Sequence, residues 1–443
     1  TALVDMYAKC GMLVKAQEVF NELPGHDVVS WNALITGYVD QGLCGEAIKC
    51  FRKMLDERFS PNSVTFTCIL KACGSLGLLE KGEEIHDKVQ KEGLVGSSIM
   101  LDNALVDMYA KCGAFAKARR AFDELPVRGV ISWTALITGY AQHGHSDEAL
   151  DCFRSMKEDG LSPDAVTFCS ILKACSMIGS TAKGKEIHAE ARNRGLLTAN
   201  VVLGNALVDM YAKCGVLAKA QEVFDELPVK DVVAWSALIS GYTQHGLAEK
   251  ALACFRAMIN EGISPNVVTF TCILKACGMI GSLDMGEEIY AEVKKQRLLE
   301  KDVMLGNTLV DMYAKCGRLV KARDVFNKLP IQNVVSWNAL IAGYGQLGQA
   351  KSIHYFVNKM VAQGIMADSV TFLGLLSTCS HAGLVEEGQI VVKYMHDVGR
   401  LTPTLEHYTC MVDLFSRAGH FYKAIALVEE MQVSDRLPLL LAL

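Results

Sequence analysis

Several common signatures are missing from this sequence, and each absence narrows the reading. No CxxC pair occurs among its sixteen cysteines, so zinc knuckles and thioredoxin-like redox chemistry lack their basic ingredient. No apolar run is long enough to span a bilayer. Basic residues do not dominate: 44 Lys and Arg against 49 Asp and Glu leave a formal charge of -5. That excludes a lysine-coated, non-specific nucleic-acid binder, though not a local basic stripe on one face. The alternation expected of strands is absent, and no polar or low-complexity tract looks disordered. Tryptophan occurs only four times, and those four positions carry the most information in the chain.

Trp31, Trp133, Trp235 and Trp337 are spaced 102 residues apart. The segment LVDMYAKCG returns on the same period from Leu3, Leu105, Leu207 and Leu309, and a degenerate copy, MVDLFSRAG, starts at Met411. Length alone would suggest about two to four globular domains, but strict self-similarity implies an array of stacked units sharing one continuous core. A hydrophobic content of 51% is ample for that core. The cysteines follow the period too: Cys10, Cys112, Cys214 and Cys316 share one position, and Cys73, Cys175, Cys277 and Cys379 another. A residue returning at one point of every unit fills one packing niche, not a disulfide framework, and fits a reducing interior.

Each period divides into helix-turn-helix units of 35, 36 and 31 residues. In the 35-residue unit Val28 to Asn62, Trp31, Leu34, Ile35 and Tyr38 lie at the i, i+3, i+4, i+7 spacing of an amphipathic helix. Gly42 breaks that helix, and a second one carries Ala47, Phe51 and Met54 on one face. Proline at 61 is expected to end the second helix, as Pro24 ends the short unit before it. The expected units start at residues 1 (truncated), 28, 63, 99, 130, 165, 201, 232, 267, 303, 334, 369 and 405. They run to 435, and a divergent tail covers 436–443. Thirteen units and about twenty-six helices predict an all-α, right-handed superhelical solenoid. The chain opens inside a unit, so the true N-terminus, with any targeting peptide, is expected to be missing.

Units of 35, 36 and 31 residues in rotation, with VVSWNALITGY, VTFTCILKACG and LVDMYAKCG, resemble a plant pentatricopeptide repeat protein. The resemblance is to the subclass that alternates standard, long and short repeats, and it runs from Thr1 to about Asp435. Tetratricopeptide repeats keep a uniform 34-residue unit and a motif this chain lacks. The resemblance implies recognition of single-stranded RNA, about one base per repeat. It assigns the base edge to the fifth and last residues of a unit, and the base face to the second. The pairs are then Thr1/Asp27, Asn32/Asn62, Asn103/Gly129, Thr134/Asp164, Asn205/Asp231, Ser236/Asn266, Asn307/Asn333 and Asn338/Asp368. By the family's pairing pattern they favour guanine, a pyrimidine, nothing in particular, guanine, uracil, adenine, cytosine and uracil in turn. Val29, Ile131, Val233 and Val335 are the base-packing residues of the standard units. Lys9, Lys111, Lys213 and Lys315, with Arg417, stand at position thirteen of the short units, which the resemblance turns toward the RNA backbone. The long units carry Thr67, Cys169, Thr271 and Leu373 at the fifth position and are expected to read weakly or not at all.

Plainer accounts compete. Asn, Asp, Ser and Thr ahead of a helix are good N-caps, which explains the last residues taken alone. It explains less well a polar fifth residue already inside the helix, where such residues are unfavourable. A helix C-terminus attracts cations without any ligand. The tryptophans, with Tyr7, Tyr109, Tyr211 and Tyr313, could stack on bases, but their spacing with leucines favours inter-repeat core.

His188-Ala189-Glu190 matches the H-x-E of zinc-dependent cytidine deaminases, the domain in which many relatives end. It has no CxxC partner and lies in a second helix, so it reads as chance. The chain as given is expected to be non-enzymatic, without cofactor. Its expected role is a site-recognition factor for C-to-U editing or processing of organellar RNA, in mitochondrion or chloroplast. A separate deaminase or editing-complex protein would supply the chemistry, and neither membrane nor DNA is an expected partner. The alternative is an α-solenoid scaffold for a peptide or protein.

Overall fold

In the computed structural model of the chain, residues 1–347, 350–397 and 401–430 are described. The end of the expected last unit, 431–435, and the divergent tail, 436–443, lie outside them. Among the described residues there are twenty-seven α-helices, one 3-10 turn and no strand. All but the four-residue helix Leu196–Ala199 pair as antiparallel hairpins, a front helix followed by a back helix. The extra helix, and the 3-10 turn Leu298–Glu300, take up the additional length at the ends of two long units. The fold is an all-α repeat solenoid.

The helices fall into two compact units, Thr1–Val229 and a second beginning at Lys230. In the first, front helices begin at Ala2, Val28, Ser63, Ile99, Val130, Ala165 and Val201, each stacked on the next. In the second they begin at Val232, Val267, Val303, Val334, Ser369 and Leu405, stacked in the same way.

The strict period has a packing cause. Phe20 meets Trp31 edge-on at 4.6 Å, Phe122 meets Trp133 at 4.5 Å, and Phe326 meets Trp337 at 4.6 Å. All four tryptophans are buried, as are Tyr109, Tyr211 and Tyr313, so these aromatic residues belong to the core as their spacing suggests, while Tyr7 of the first unit is only half-buried. Gly139 lets consecutive front helices approach: a Cβ there would sit 2.5 Å from the Ala110 Cβ and 2.9 Å from its carbonyl carbon. That contact ties the glycine of WTALITGY to the alanine of LVDMYAKCG.

One local expectation fails. The back helix Cys44–Asp56 ends five residues before Pro61, and Leu13–Asn21 ends three before Pro24. What stops the first is a left-handed residue, Arg58 at φ 63, with the Phe59 N–H donating to the Met54 carbonyl. In the next two standard units glycines at 160 and 262 hold the same conformation, which costs them no Cβ clash. The prolines sit in the linkers that follow.

Candidate nucleic-acid interface

The last residue of a unit is where the site is built, and it begins as a helix cap. Asp27 Oδ1 accepts from the Ser30 N–H at 2.7 Å, Asp164 Oδ1 from Thr167 at 2.8 Å, and Asn266 Oδ1 from Thr269 at 2.9 Å. Asn62, Asn333 and Asp368 do the same for Thr65, Ser336 and Thr371. Capping is therefore real, and it commits one side-chain oxygen to the following helix. It does not account for the other terminal atom. Among the described residues, Nδ2 of Asn62, Asn266 and Asn333 and Oδ2 of Asp164 and Asp368 have no hydrogen-bond partner.

The fifth residues reach the same caps. Asn32 Nδ2 donates to Asn62 Oδ1 at 3.0 Å, Asn307 Nδ2 to Asn333 Oδ1 at 3.2 Å, and Asn338 Nδ2 to Asp368 Oδ1 at 2.9 Å. Ser236 Oγ donates to Asn266 Oδ1 at 3.3 Å. Thr134 reaches Asp164 through one more hydroxyl, that of Thr167: the two Oγ1 atoms lie 2.6 Å apart, and Thr167 Oγ1 donates to Asp164 Oδ1 at 2.8 Å. Thr167 has counterparts that sequence reasoning missed. Thr65 and Thr371, third residues of long units, donate to the Oδ1 of Asn32 and Asn338 at 2.6 Å, and Thr269 lies 2.7 Å from Ser236. The hydroxyl supplies the donor that a helix-interior asparagine carbonyl otherwise lacks. VTF at the start of every long unit was its signal.

Around Asp368, burial works to raise the pKa, but the Thr371 N–H, the Asn338 amide and the Thr371 hydroxyl outweigh it and hold the carboxyl below its usual range. Asp27 is likewise held down, first by the Ser30 N–H and then by its hydroxyl. Both are anionic acceptors at neutral pH.

Three pairs differ. Thr1 makes no side-chain cap bond, and Asp27 accepts hydrogen bonds at its own helix start with none from the Thr1 side chain among the described residues. Gly129 has no side chain to offer, its N–H donates to Ser132 Oγ at 2.9 Å, and Asn103 Oδ1 is buried without a partner. Asn205 belongs to the first compact unit and Asp231 to the second. Within the second, Asp231 Oδ1 accepts from Val233 and Ala234 at 2.9 Å.

The second residues are exposed although aliphatic: Val29, Ile131, Val233 and Val335 are 52–68% accessible. The same holds for Val64, Met100, Val166, Val202, Val268, Met304 and Val370, so the feature runs through long and short units as well. In the first compact unit these residues meet the pairs in one groove of about 410 Å³. Met100, Ile131 and Val166 line it together with Asn103, Thr134, Asp164, Thr67 and Lys71.

The position-thirteen cations are not free. Lys9, Lys111, Lys213 and Lys315 each bond the aspartate four residues earlier, Asp5, Asp107, Asp209 and Asp311, at 2.7 Å. Arg417 bonds Asp413 at 2.8 Å. The expected stripe is thus a row of neutralised pairs, and the i, i+4 spacing in LVDMYAK was visible in the sequence. His188 and Glu190 are engaged elsewhere, with Tyr211 Oη at 3.1 Å and Lys157 at 2.8 Å. Among the described residues, no group of His, Cys, Asp and Glu is arranged to hold a metal, and no helix is long and apolar enough to cross a membrane.

Helical hairpins of this length, capped and paired in this way, define a helical-repeat protein, and comparison with known proteins says which. The PPR repeat family profile matches residues 26–75, 128–177, 230–279 and 332–381, and the PPR repeat profile matches 1–28, 64–94, 103–130, 205–232, 268–298, 307–334 and 406–435. A pentatricopeptide repeat-containing protein of Arabidopsis thaliana, named as mitochondrial, is 37% identical over 434 residues, covering 98% of this chain and 63% of its own length. Another, named as chloroplastic, is 35% identical over 98% of this chain and 49% of its own length. A third, named as putative and mitochondrial, is 35% identical over 99% of this chain and 73% of its own. The chain belongs to the pentatricopeptide repeat family, and it spans roughly half to three quarters of the length of these three relatives. Among solved structures, the pentatricopeptide repeat protein PPR10 in complex with an 18-nt psaJ RNA element is similar with a TM-score of 0.64. Identity there is 21%, over 97% of this chain and 73% of that one, a likeness of fold.

Proposed function

We propose that the chain binds single-stranded RNA, with each standard or short unit taking one base against its fifth and last residues. The observation that carries this reading is the uncommitted second atom of the last residue. An aspartate Oδ2 is an acceptor and suits a base with an N–H on its Watson–Crick edge, uracil or guanine; an asparagine Nδ2 is a donor and suits cytosine or adenine. The fifth residue then selects by size, short Thr or Ser leaving room for a purine and the longer Asn for a pyrimidine. The assignments from the family's pattern agree with this chemistry: Thr134/Asp164 for guanine, Ser236/Asn266 for adenine, Asn307/Asn333 for cytosine, Asn338/Asp368 for uracil. The exposed second residues supply apolar surface for the base faces. PPR10 was solved with an RNA element, which supports the ligand class.

The role we infer is a site-recognition factor for organellar RNA modification, C-to-U editing or processing. The RNA lies with its 5′ end toward Thr1, and any deaminase activity comes from a separate protein. Relatives named as mitochondrial and chloroplastic support an organellar setting. A gel-shift series with T134N tests the reading: preference at one base moves from guanine toward uracil. An unchanged preference with binding intact would remove the pairing scheme.

A further inference from the structure

The long units stand apart from this scheme. Thr67 Oγ1 donates to the Ser63 carbonyl at 2.7 Å and Thr271 Oγ1 to the Val267 carbonyl at 2.8 Å, so the fifth-position hydroxyl is returned to its own helix. The fourth long unit has Leu373, with no hydrogen-bonding group at all. Their last residues, Asn200 and Asp302, cap the following helices without a bond from the fifth position among the described residues.

A different residue of the long units faces outward. Lys71, Lys173 and Lys275 stand at the ninth position, exposed on the front helices Ser63–Leu76, Ala165–Ile178 and Val267–Ile280. None forms an ion pair among the described residues, and none of these helices contains an acidic residue. Asp40, at the end of the front helix before Lys71, makes no ion pair with it, and its counterparts Gln142 and Gln244 are neutral. The ninth residue follows the exposed second residue by seven positions, two helical turns, and so shares its face. Lys71 lines the groove that also holds Asn103 and Thr134, the fifth residues of the next two units. The two cations nearest in kind differ sharply. The short-unit Lys111 is tied to Asp107, which lines the same groove, whereas Lys71 has no such partner.

We infer that the long units are the phosphate-binding units of the array. Lys71, Lys173 and Lys275 each contact the phosphodiester backbone between bases held by the neighbouring units, while the paired lysines of the short units add little net charge. The inference rests on the RNA reading above and assigns a task to the units that do not read bases. Exposed lysines confer affinity without sequence information, because phosphates are the same at every base. The fourth long unit, with Ser377 at this position, contributes none.

The test compares the parent chain with K71Q/K173Q/K275Q and K111Q/K213Q/K315Q, measuring Kd for a labelled single-stranded RNA across a salt series. Each phosphate contact on a single strand adds about 0.7 to the log–log salt slope, so three lost contacts flatten it by about 2. Between 50 and 200 mM salt the parent should then lose roughly 20-fold more affinity than the long-unit variant. The short-unit variant keeps most of the parent slope, and K71R/K173R/K275R keeps all of it, which separates charge from folding. An unchanged slope in the long-unit glutamine variant, or an equal loss in the short-unit one, overturns the inference while leaving base reading intact. A parent that binds without base preference, yet shows the slope change, overturns base reading and keeps the phosphate role. A parent that binds no RNA overturns both.

Discussion

The Asn338 amide donates to one oxygen of Asp368 at 2.9 Å and leaves the other oxygen open. Replacing that acceptor by a donor should invert the base preference without disturbing the fold, since Asn and Asp cap helices equally well. For D368N we expect preference at this unit to pass from uracil to cytosine by about tenfold, the worth of one hydrogen bond made or mismatched. Competition binding with oligonucleotides differing at that base measures it, and a flat response would refute the role of Oδ2.

The bridging hydroxyl of Thr371 should matter to both folding and recognition. T371V removes the donor to Asn338 Oδ1 and half of the reciprocal cap with Asp368. The expected cost is about 1–2 kcal/mol in denaturant unfolding, with weaker discrimination at the same base. If stability fell but discrimination held, the threonine would be a scaffold residue only.

Acid should weaken the same unit. The folded pKa of Asp368 is lowered, so its contribution to stability is complete above the unfolded value, about 4, and is lost as pH falls through the folded value. An acid titration followed by helical circular dichroism should show D368N less sensitive than the parent in that range. An equal sensitivity would mean that the carboxylate adds nothing in the folded state.

Two glycine substitutions should behave in opposite ways. G139A forces a Cβ against the Ala110 backbone and should lower stability by about 1–3 kcal/mol. G45A, on the exposed side of Cys44–Asp56 with nothing within 4 Å, should be neutral or gain up to about 1 kcal/mol. Urea midpoints decide; comparable losses at both sites would argue against close approach as the reason for Gly139.

The thiols should divide by environment. Burial pushes Cys73 and Cys175 up to about 11 and Cys277 up to about 12, so none is an effective nucleophile near neutrality. Exposed Cys10 should take up iodoacetamide first, by mass spectrometry, and the buried three only after unfolding. Early labelling of Cys277 would show that the packing there opens readily.

Much of the architecture was legible because each unit repeats its packing residues. Trp31 with Phe20, and Gly139 against Ala110, impose a period that needs no coordinates to see. The candidate pairs were legible only by resemblance, since nothing local marks Asn338 and Asp368, thirty residues apart, as neighbours. Thr371 was missed because a β-branched residue inside VTF reads as scaffold until its hydroxyl is seen to join both members of a pair. The Lys111–Asp107 bond was missed for the opposite reason: its four-residue spacing was in plain view, but the cation was considered without its neighbour. The helix endings were misjudged at Pro61 because left-handed residues, not proline, stop those helices.

The double duty of residues such as Asp368 limits how this molecule can change over generations. On the proposed reading, interchanging aspartate and asparagine would alter the preferred letter while the next hairpin still starts cleanly, making drift between targets cheap along that one axis. Most other replacements would loosen the joint between two hairpins before they changed any base preference, which on the same reading would confine that position to a few small polar side chains.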